Sequence, residues 1–263
     1  FDVTWWGSAL WAATREGMQF SEDGGGRWRR AGTLRCPVRQ SAVSGRHLWM
    51  GTMGGVILRG RGGDLRSFSA KSSILAMTST REYGADTWWL GTTAGLHCTR
   101  DNGRTWRTYT VADGLPSNVI QTLASFEERV WAGTDGGVWV SADGVESGRC
   151  YDRSHGLRGL DVRDIAFGDK RVWAATDRGL SVLRQGLNEW RTVQSGREWH
   201  AVCETKGTVL GAATDPGDVR GRFVVLSGSV ERDAWTSLLV PAHYGARVHQ
   251  LLILGDDVWM ATD

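Results

Sequence analysis

The chain has 263 residues, with 31 Lys and Arg against 29 Asp and Glu for a net charge of +2, and 41% of its residues are hydrophobic. So even a balance leaves no electrostatic footprint for nucleic acid or an anionic membrane surface, and no apolar run approaches the roughly 20 residues that span a bilayer. The 36 glycines, only 4 prolines and 15 tryptophans suit many tight turns between short strands, with large aromatic wedges between layers.

In chain order one pattern returns: Leu10-Trp11-Ala12-Ala13-Thr14, Leu48-Trp49-Met50-Gly51-Thr52, Trp88-Trp89-Leu90-Gly91-Thr92, Val130-Trp131-Ala132-Gly133-Thr134, Val172-Trp173-Ala174-Ala175-Thr176, the degenerate Leu210-Gly211-Ala212-Ala213-Thr214, and Val258-Trp259-Met260-Ala261-Thr262. From threonine to threonine the steps are 38, 40, 42, 42, 38 and 48 residues. A period near forty built from short alternating strands predicts β-propeller blades of four strands each. Inner strands are expected to begin near Phe1, Gln40, Ile74, Val119, Val162, Trp199 and Val248. The blades then cover about 1–33, 40–70, 73–110, 119–153, 162–194, 199–240 and 246–263. The expected fold is all-β: a single propeller of seven antiparallel four-stranded blades, the last incomplete because the printed chain stops after its second strand. A six-bladed ring is the alternative and leaves two strands over. The seventh blade's missing strands would come from downstream residues or another chain, since an open sheet edge exposes unpaired backbone groups.

The fourth repeat shows the unit most plainly: Val119 to Ser125, Arg129 to Thr134, Gly137 to Ser141 and Arg149 to Arg153, with Gly136-Gly137 supplying the positive φ for the turn between second and third strands.

Two family resemblances rest on these residues. Asp113-Gly114-Leu115-Pro116-Ser117-Asn118-Val119-Ile120, followed by Val130-Trp131-Ala132-Gly133-Thr134-Asp135-Gly136-Gly137, resembles the two-component regulator propeller repeat of bacterial sensor proteins; His155-Gly156-Leu157 leading to Val172–Asp177 is a weaker copy. The resemblance implies fold more than activity, because propellers carry many unrelated functions. Thr99-Arg100-Asp101-Asn102-Gly103-Arg104-Thr105-Trp106 resembles the Asp-box (BNR-like) turn of sialidases and many non-catalytic propellers. Ser21 to Trp28 is similar except for Arg27, and Ser141-Ala142-Asp143-Gly144 keeps only the first half. The resemblance implies structural roles for Asp23, Trp28, Asp101, Gly103 and Trp106: aspartate accepts backbone N–H groups, glycine permits the turn, and tryptophan packs back on the blade.

Catalysts are hard to find. A sialidase would need an arginine triad, a tyrosine and glutamate pair and an acidic aspartate. Tyr109 and Tyr151 fall on outer strands, and Arg35-Cys36-Pro37-Val38 is a poor imitation of that family's N-terminal arginine motif. No G-x-S-x-G elbow occurs, and His47, His97, His155, His200, His243 and His249 are scattered over separate blades. Cys36, Cys98, Cys150 and Cys203 form no pair and no zinc spacing. No enzyme activity, cofactor or metal is therefore expected, and unpaired thiols favour a reducing compartment, whereas a sensor domain would be periplasmic. No targeting segment is visible.

What remains is a face. The connections from an outermost strand to the next inner strand gather on one side of a propeller, and such loops carry recognition residues. They hold Arg35 and Arg39, then His155 and Arg158, then Arg197, Trp199 and His200, then His243, Tyr244 and Arg247. Arginine and aromatics of this kind are enriched at binding hot spots, so the expected partner is a protein, with an acidic one suited to the arginines, met at the channel mouth. The reading is a recognition or scaffold module within a larger bacterial protein or assembly. Its rivals are the ligand-sensing input domain of a signalling receptor and a carbohydrate-active enzyme of sialidase-like or glycoside hydrolase type.

Overall fold

The computed structural model describes residues 2–31, 36–44, 47–52, 55–61, 64–69, 72–82, 85–101, 103–142, 147–184, 186–214, 223–229, 234–238, 248–254 and 257–262. Within them the backbone forms antiparallel sheets in chain order, six of four strands followed by one of two, and no α-helix. The innermost strands are Asp2–Trp6, Val38–Ser44, Ile74–Glu82, Ile120–Phe126, Val162–Gly168, Trp199–Thr205 and Val248–Leu254. Each lies beside the innermost strand of the next sheet, and the last lies beside the first. The protein is thus a single all-β propeller. At the closing seam Val3 N–H donates to Gln250 Oε1 at 2.9 Å.

Each position of the repeated pattern has its own physical cause. The threonines close the hairpin between second and third strands: Thr14, Thr92, Thr134 and Thr176 Oγ1 donate to the carbonyl of the glycine three residues on. Each also accepts the N–H two residues on, which is the side-chain mimic of a backbone turn. Of the Gly136-Gly137 pair it is Gly137 that takes positive φ, +131°, and a Cβ there would lie 2.4 Å from the Tyr151 carbonyl oxygen. No other residue fits without moving the fourth strand.

The tryptophan and the small residue work between sheets. Trp89 packs with Ile120 of the following sheet, Trp131 with Val162, and Trp173 with Trp199. The small residue makes room for the same partner. A Cβ on Gly51 would lie 2.7 Å from Ile74 Cγ2, on Gly91 2.6 Å from Ile120 Cγ2, and on Gly133 2.8 Å from Val162 Cγ1. Because Ile120 is β-branched and fully buried, it has little freedom to give way. Gly91→Ala is therefore expected to destabilise the protein by about 1–3 kcal/mol through overpacking, measured by urea unfolding; wild-type stability would show that adjacent sheets can slide apart at no cost.

The turn after strand Gly95–Thr99 is organised by Asp101. Its Oδ1 accepts from Thr99 Oγ1 at 2.8 Å, Arg104 N–H at 3.0 Å and Thr105 N–H at 2.9 Å, and its Oδ2 accepts from Thr105 Oγ1 at 2.6 Å. The Gly103 N–H is taken by Thr99 Oγ1. These donors, Thr105 foremost, hold the Asp101 carboxyl well below the usual range. Asp23 repeats the arrangement with Ser21 and the Arg27 N–H, whereas Asp143 lies outside the described residues. The tryptophans that follow differ. Trp106 is half-buried against the cluster of Trp49, Ile74 and Trp88, but Trp28 is 37% exposed, so the expectation that it packs away fails for the first sheet. Asp101→Ala should lower the melting temperature while leaving the far-UV spectrum that of a β-protein, since it removes an acceptor serving three residues at one turn.

Between sheets three and four, and four and five, the connection begins with a short 3-10 turn, Val111–Asp113 and Arg153–His155, each with a reciprocal cap and a left-handed glycine, Gly114 or Gly156. The glycine lets the chain reverse so that Leu115 and Leu157 enter the core, at 5% and 0% exposure.

Candidate functional site at the channel mouth

The register of the innermost strands builds the site. In the second to seventh sheets it slips by one residue opposite the end of the second strand, at the threonine in five of them and one residue earlier in the sixth sheet, and the residue skipped is Arg39, Leu75, Gln121, Arg163, His200 and His249 in turn. A β-bulge of this kind re-aims a side chain that regular alternation would point elsewhere. The residue before each bulge is core, as Val38, Ile74, Ile120, Val162 and Trp199 are fully buried. The bulged residues from Arg39 through His200 line a cavity of about 360 Å³, shared with Gln40, Thr122, Asp164 and Gln250 from the same strands and with Asp161 and Glu198 from the connections.

Arg163 is the hub of its wall. Its Nε and Nη2 donate to Asp161 Oδ2, both at 3.2 Å, and its Nη1 donates to Glu198 Oε2 at 3.1 Å. The same Nη1 lies 3.1 Å from the ring nitrogens of His200, whose Nε2 sits 3.0 Å from Thr214 Oγ1. Gln121 Nε2 donates to the other oxygen of Asp161, joining the fourth sheet to the fifth. Arg39, on the opposite side of the ring, is exposed and forms no ion pair among the described residues.

Two carboxyls bolt sheets together beneath this layer. Asp2 Oδ2 accepts from Ser41 N–H at 2.6 Å and Ser41 Oγ at 3.0 Å, and Asp164 accepts from Val202 N–H at 2.8 Å and Ile165 N–H at 2.9 Å. Burial pushes the Asp164 carboxyl up to about 7, with the nearby Asp2 charge adding to the rise and the backbone donors opposing it. Burial likewise raises Asp2 to about 6. All the carboxylates that face the cavity are engaged as acceptors for backbone, guanidinium or amide donors. Among the described residues no three His, Cys, Asp or Glu side chains gather as a metal site, and the four cysteines are free.

Of the residues expected on the recognition face, Arg39 and His200 line the cavity. Arg158 is exposed and Arg197 half-buried, neither reaching the cavity. Trp199 is a correction: it is wholly buried and packs edge-on against Trp235 at 5.6 Å, so it belongs to the core. His155 serves its own turn, with Nδ1 3.0 Å from Asp152 Oδ1. Arg35, His243, Tyr244 and Arg247 lie outside the described residues. Gln121, Arg163 and Asp164 were not among the expected residues: the first two sit at bulges, which no residue type marks, and Asp164 follows one.

No family model matches the chain, and no curated protein does so either. Solved structures do. The extracellular domain of the putative hybrid two-component system BT4673 from B. thetaiotaomicron superposes with a TM-score of 0.76 at 14% identity, over 99% of this chain and 36% of that one. YCF48 bound to D1 peptide gives 0.75 at 14% identity, over 100% and 89%. The GH74 xyloglucanase from Xanthomonas campestris gives 0.77 at 16% identity, over 99% and 50%. The chain thus spans about a third of the length of the two-component-system structure. At such identities the likeness is one of fold.

Proposed function

We propose that the protein is a non-catalytic recognition module of seven blades, the last represented by its two inner strands, and that it takes a protein partner at the channel mouth as part of a larger bacterial protein or assembly. The observation that carries this reading is the bulge repeated in sheet after sheet, which spends an irregularity on presenting one side chain from each of five sheets to a common cavity. Against catalysis stands the pairing of Asp161 with Arg163 and of Asp164 with the Val202 and Ile165 N–H groups, which leaves Glu198 alone with an open oxygen where acid–base chemistry needs groups free to exchange protons with a substrate. The regulator-type repeats and the Asp-box turns support a bacterial propeller of this style. One structural neighbour is described with a bound peptide, which supports a protein partner.

The test is capture of the partner by the tagged protein from an extract of its source organism, compared with an Arg39→Glu/Arg158→Glu variant. Both side chains are exposed, so the variant should melt as the wild type does while capture of an acidic partner falls at least tenfold. Undiminished capture would move the partner surface to the blade rim, and turnover of xyloglucan or a sialoside would overturn the non-catalytic reading. A ligand-sensing role is the second reading, favoured by the polar cavity at the channel mouth.

A further inference from the structure

The cavity has a property that a protein-docking face does not require: its charges are separated across the ring. On the second sheet stands Arg39, exposed and without an ion pair among the described residues. On the fifth and sixth sheets three carboxyls, Asp161, Asp164 and Glu198, face the cavity with one guanidinium, Arg163, which pairs with Asp161 and Glu198, so that wall is negative by one while Asp164 holds its proton and by two once it ionises. Glu198 is the accessible member, with its side chain 55% exposed, and only its Oε2 is taken up by Arg163. Between the two walls the lining is uncharged and hydrogen-bonding, chiefly Gln40, Gln121, Thr122 and Gln250. The space, about 360 Å³, falls at the lower end of the roughly 300–1,000 Å³ of small-molecule sites.

We propose that the channel mouth binds a small zwitterion of the α-amino-acid class, its carboxylate held by Arg39 and its ammonium by Glu198 on the Arg163 wall. An anion alone would satisfy Arg39 and meet like charge opposite; a cation alone would do the reverse. A ligand carrying both charges is matched at both walls, and the amides between them can serve its side chain. Guanidinium suits the carboxylate end because it donates two parallel N–H groups. The inference goes beyond the protein-partner reading and stands or falls separately from it.

The experiment is thermal unfolding of the protein in the presence of the twenty amino acids, offered in pools at about 10 mM, a level that would reveal a millimolar complex. Succinate, putrescine and glucose at the same level are the single-sign and neutral comparators. At least one pool should raise the melting temperature, and isothermal titration with its active member should show affinity reduced at least tenfold by Arg39→Ala and by Glu198→Gln. Arg191→Ala, an exposed change on an outer strand, should bind as the wild type does. The proposal is overturned if no pool stabilises, if a comparator stabilises as much as the best amino acid, or if either cavity variant binds normally. Partner capture surviving the loss of zwitterion binding would leave the recognition reading intact; zwitterion binding without capture would leave only the sensing role.

Discussion

Replacing Trp173 by alanine is expected to cost about 3–5 kcal/mol. The indole is wholly buried in the cluster with Trp199, Val202 and Leu226 that joins the fifth sheet to the sixth. Its removal leaves a cavity lined on one side by Trp199, which is fully buried and cannot tilt into the gap without vacating its own place. A polar loss is added. Trp173 Nε1 donates to Glu204 Oε2, and Glu204, with its side chain only 1% exposed, would then rely on Arg171, whose Nη1 donates to Oε1 at 3.4 Å. A buried carboxylate short of a donor costs more than an apolar vacancy of equal size. Trp173→Phe separates the two contributions, since the phenyl ring restores most of the volume without the N–H and should recover more than half of the stability. Thermal unfolding is a sufficient measurement: for a chain of this length about 3–5 kcal/mol corresponds to roughly 10 °C. An alanine variant that melts within about 2 °C of the wild type would show that the interface relaxes freely, contrary to the packing described.

The strands were legible because their signals are local. Thr134 acts on residues two and three positions ahead, and Gly137 answers to its own φ, so each leaves its mark in a short stretch of sequence. Trp131 and Gly133 are visible for a different reason: the kind of contact they make with the next sheet recurs at several interfaces, and recurrence exposes it even though the partner is some thirty residues away in the repeat. The site was not legible in this way. Arg39, Leu75, Gln121, Arg163 and His200 share a backbone position and no side-chain chemistry, since a bulge is defined by what the neighbouring strand skips. A signal did exist: Arg39, Gln121 and Arg163 stand at the same interval before Thr52, Thr134 and Thr176. Trp199 illustrates the opposite error. Set among Arg197, Glu198 and His200 it reads as a surface residue, but at the start of its strand it enters the core while Glu198 stays exposed and the bulged His200 turns to the cavity. His155 misled similarly, because a histidine three residues after an aspartate in a connecting loop can cap a turn as well as meet a partner.

The second large effect depends on pH and follows from Asp164. In the unfolded chain its carboxyl loses a proton near its ordinary value of 3.8, whereas in the folded protein burial holds the proton until about pH 7. Between those values the folded state binds the extra proton, so the carboxyl favours folding fully below about pH 4, and the contribution is lost as pH rises to about 7. At about 1.4 kcal/mol per unit the full span is about 4 kcal/mol, and water in the channel mouth, which Asp164 lines, reduces it. Asp2 slopes the same way up to about pH 6, and its charge is one reason Asp164 resists ionising. Other groups slope oppositely: the hydrogen-bonded Asp101 and Asp152 lie below the ordinary range and act only at more acidic pH, and His97, lowered by burial, favours folding as pH rises towards 6.5. The clean measurement is therefore a difference between proteins. Asp164→Asn keeps an acceptor for Val202 N–H or Ile165 N–H but cannot ionise, so its stability relative to wild type should be lowest near pH 4 and should rise by about 1–4 kcal/mol on going to pH 8. A difference that stays constant across that range, or that moves the other way, would mean that Asp164 is ionised in the folded protein throughout and that its bond to Val202 is an ordinary carboxylate bond.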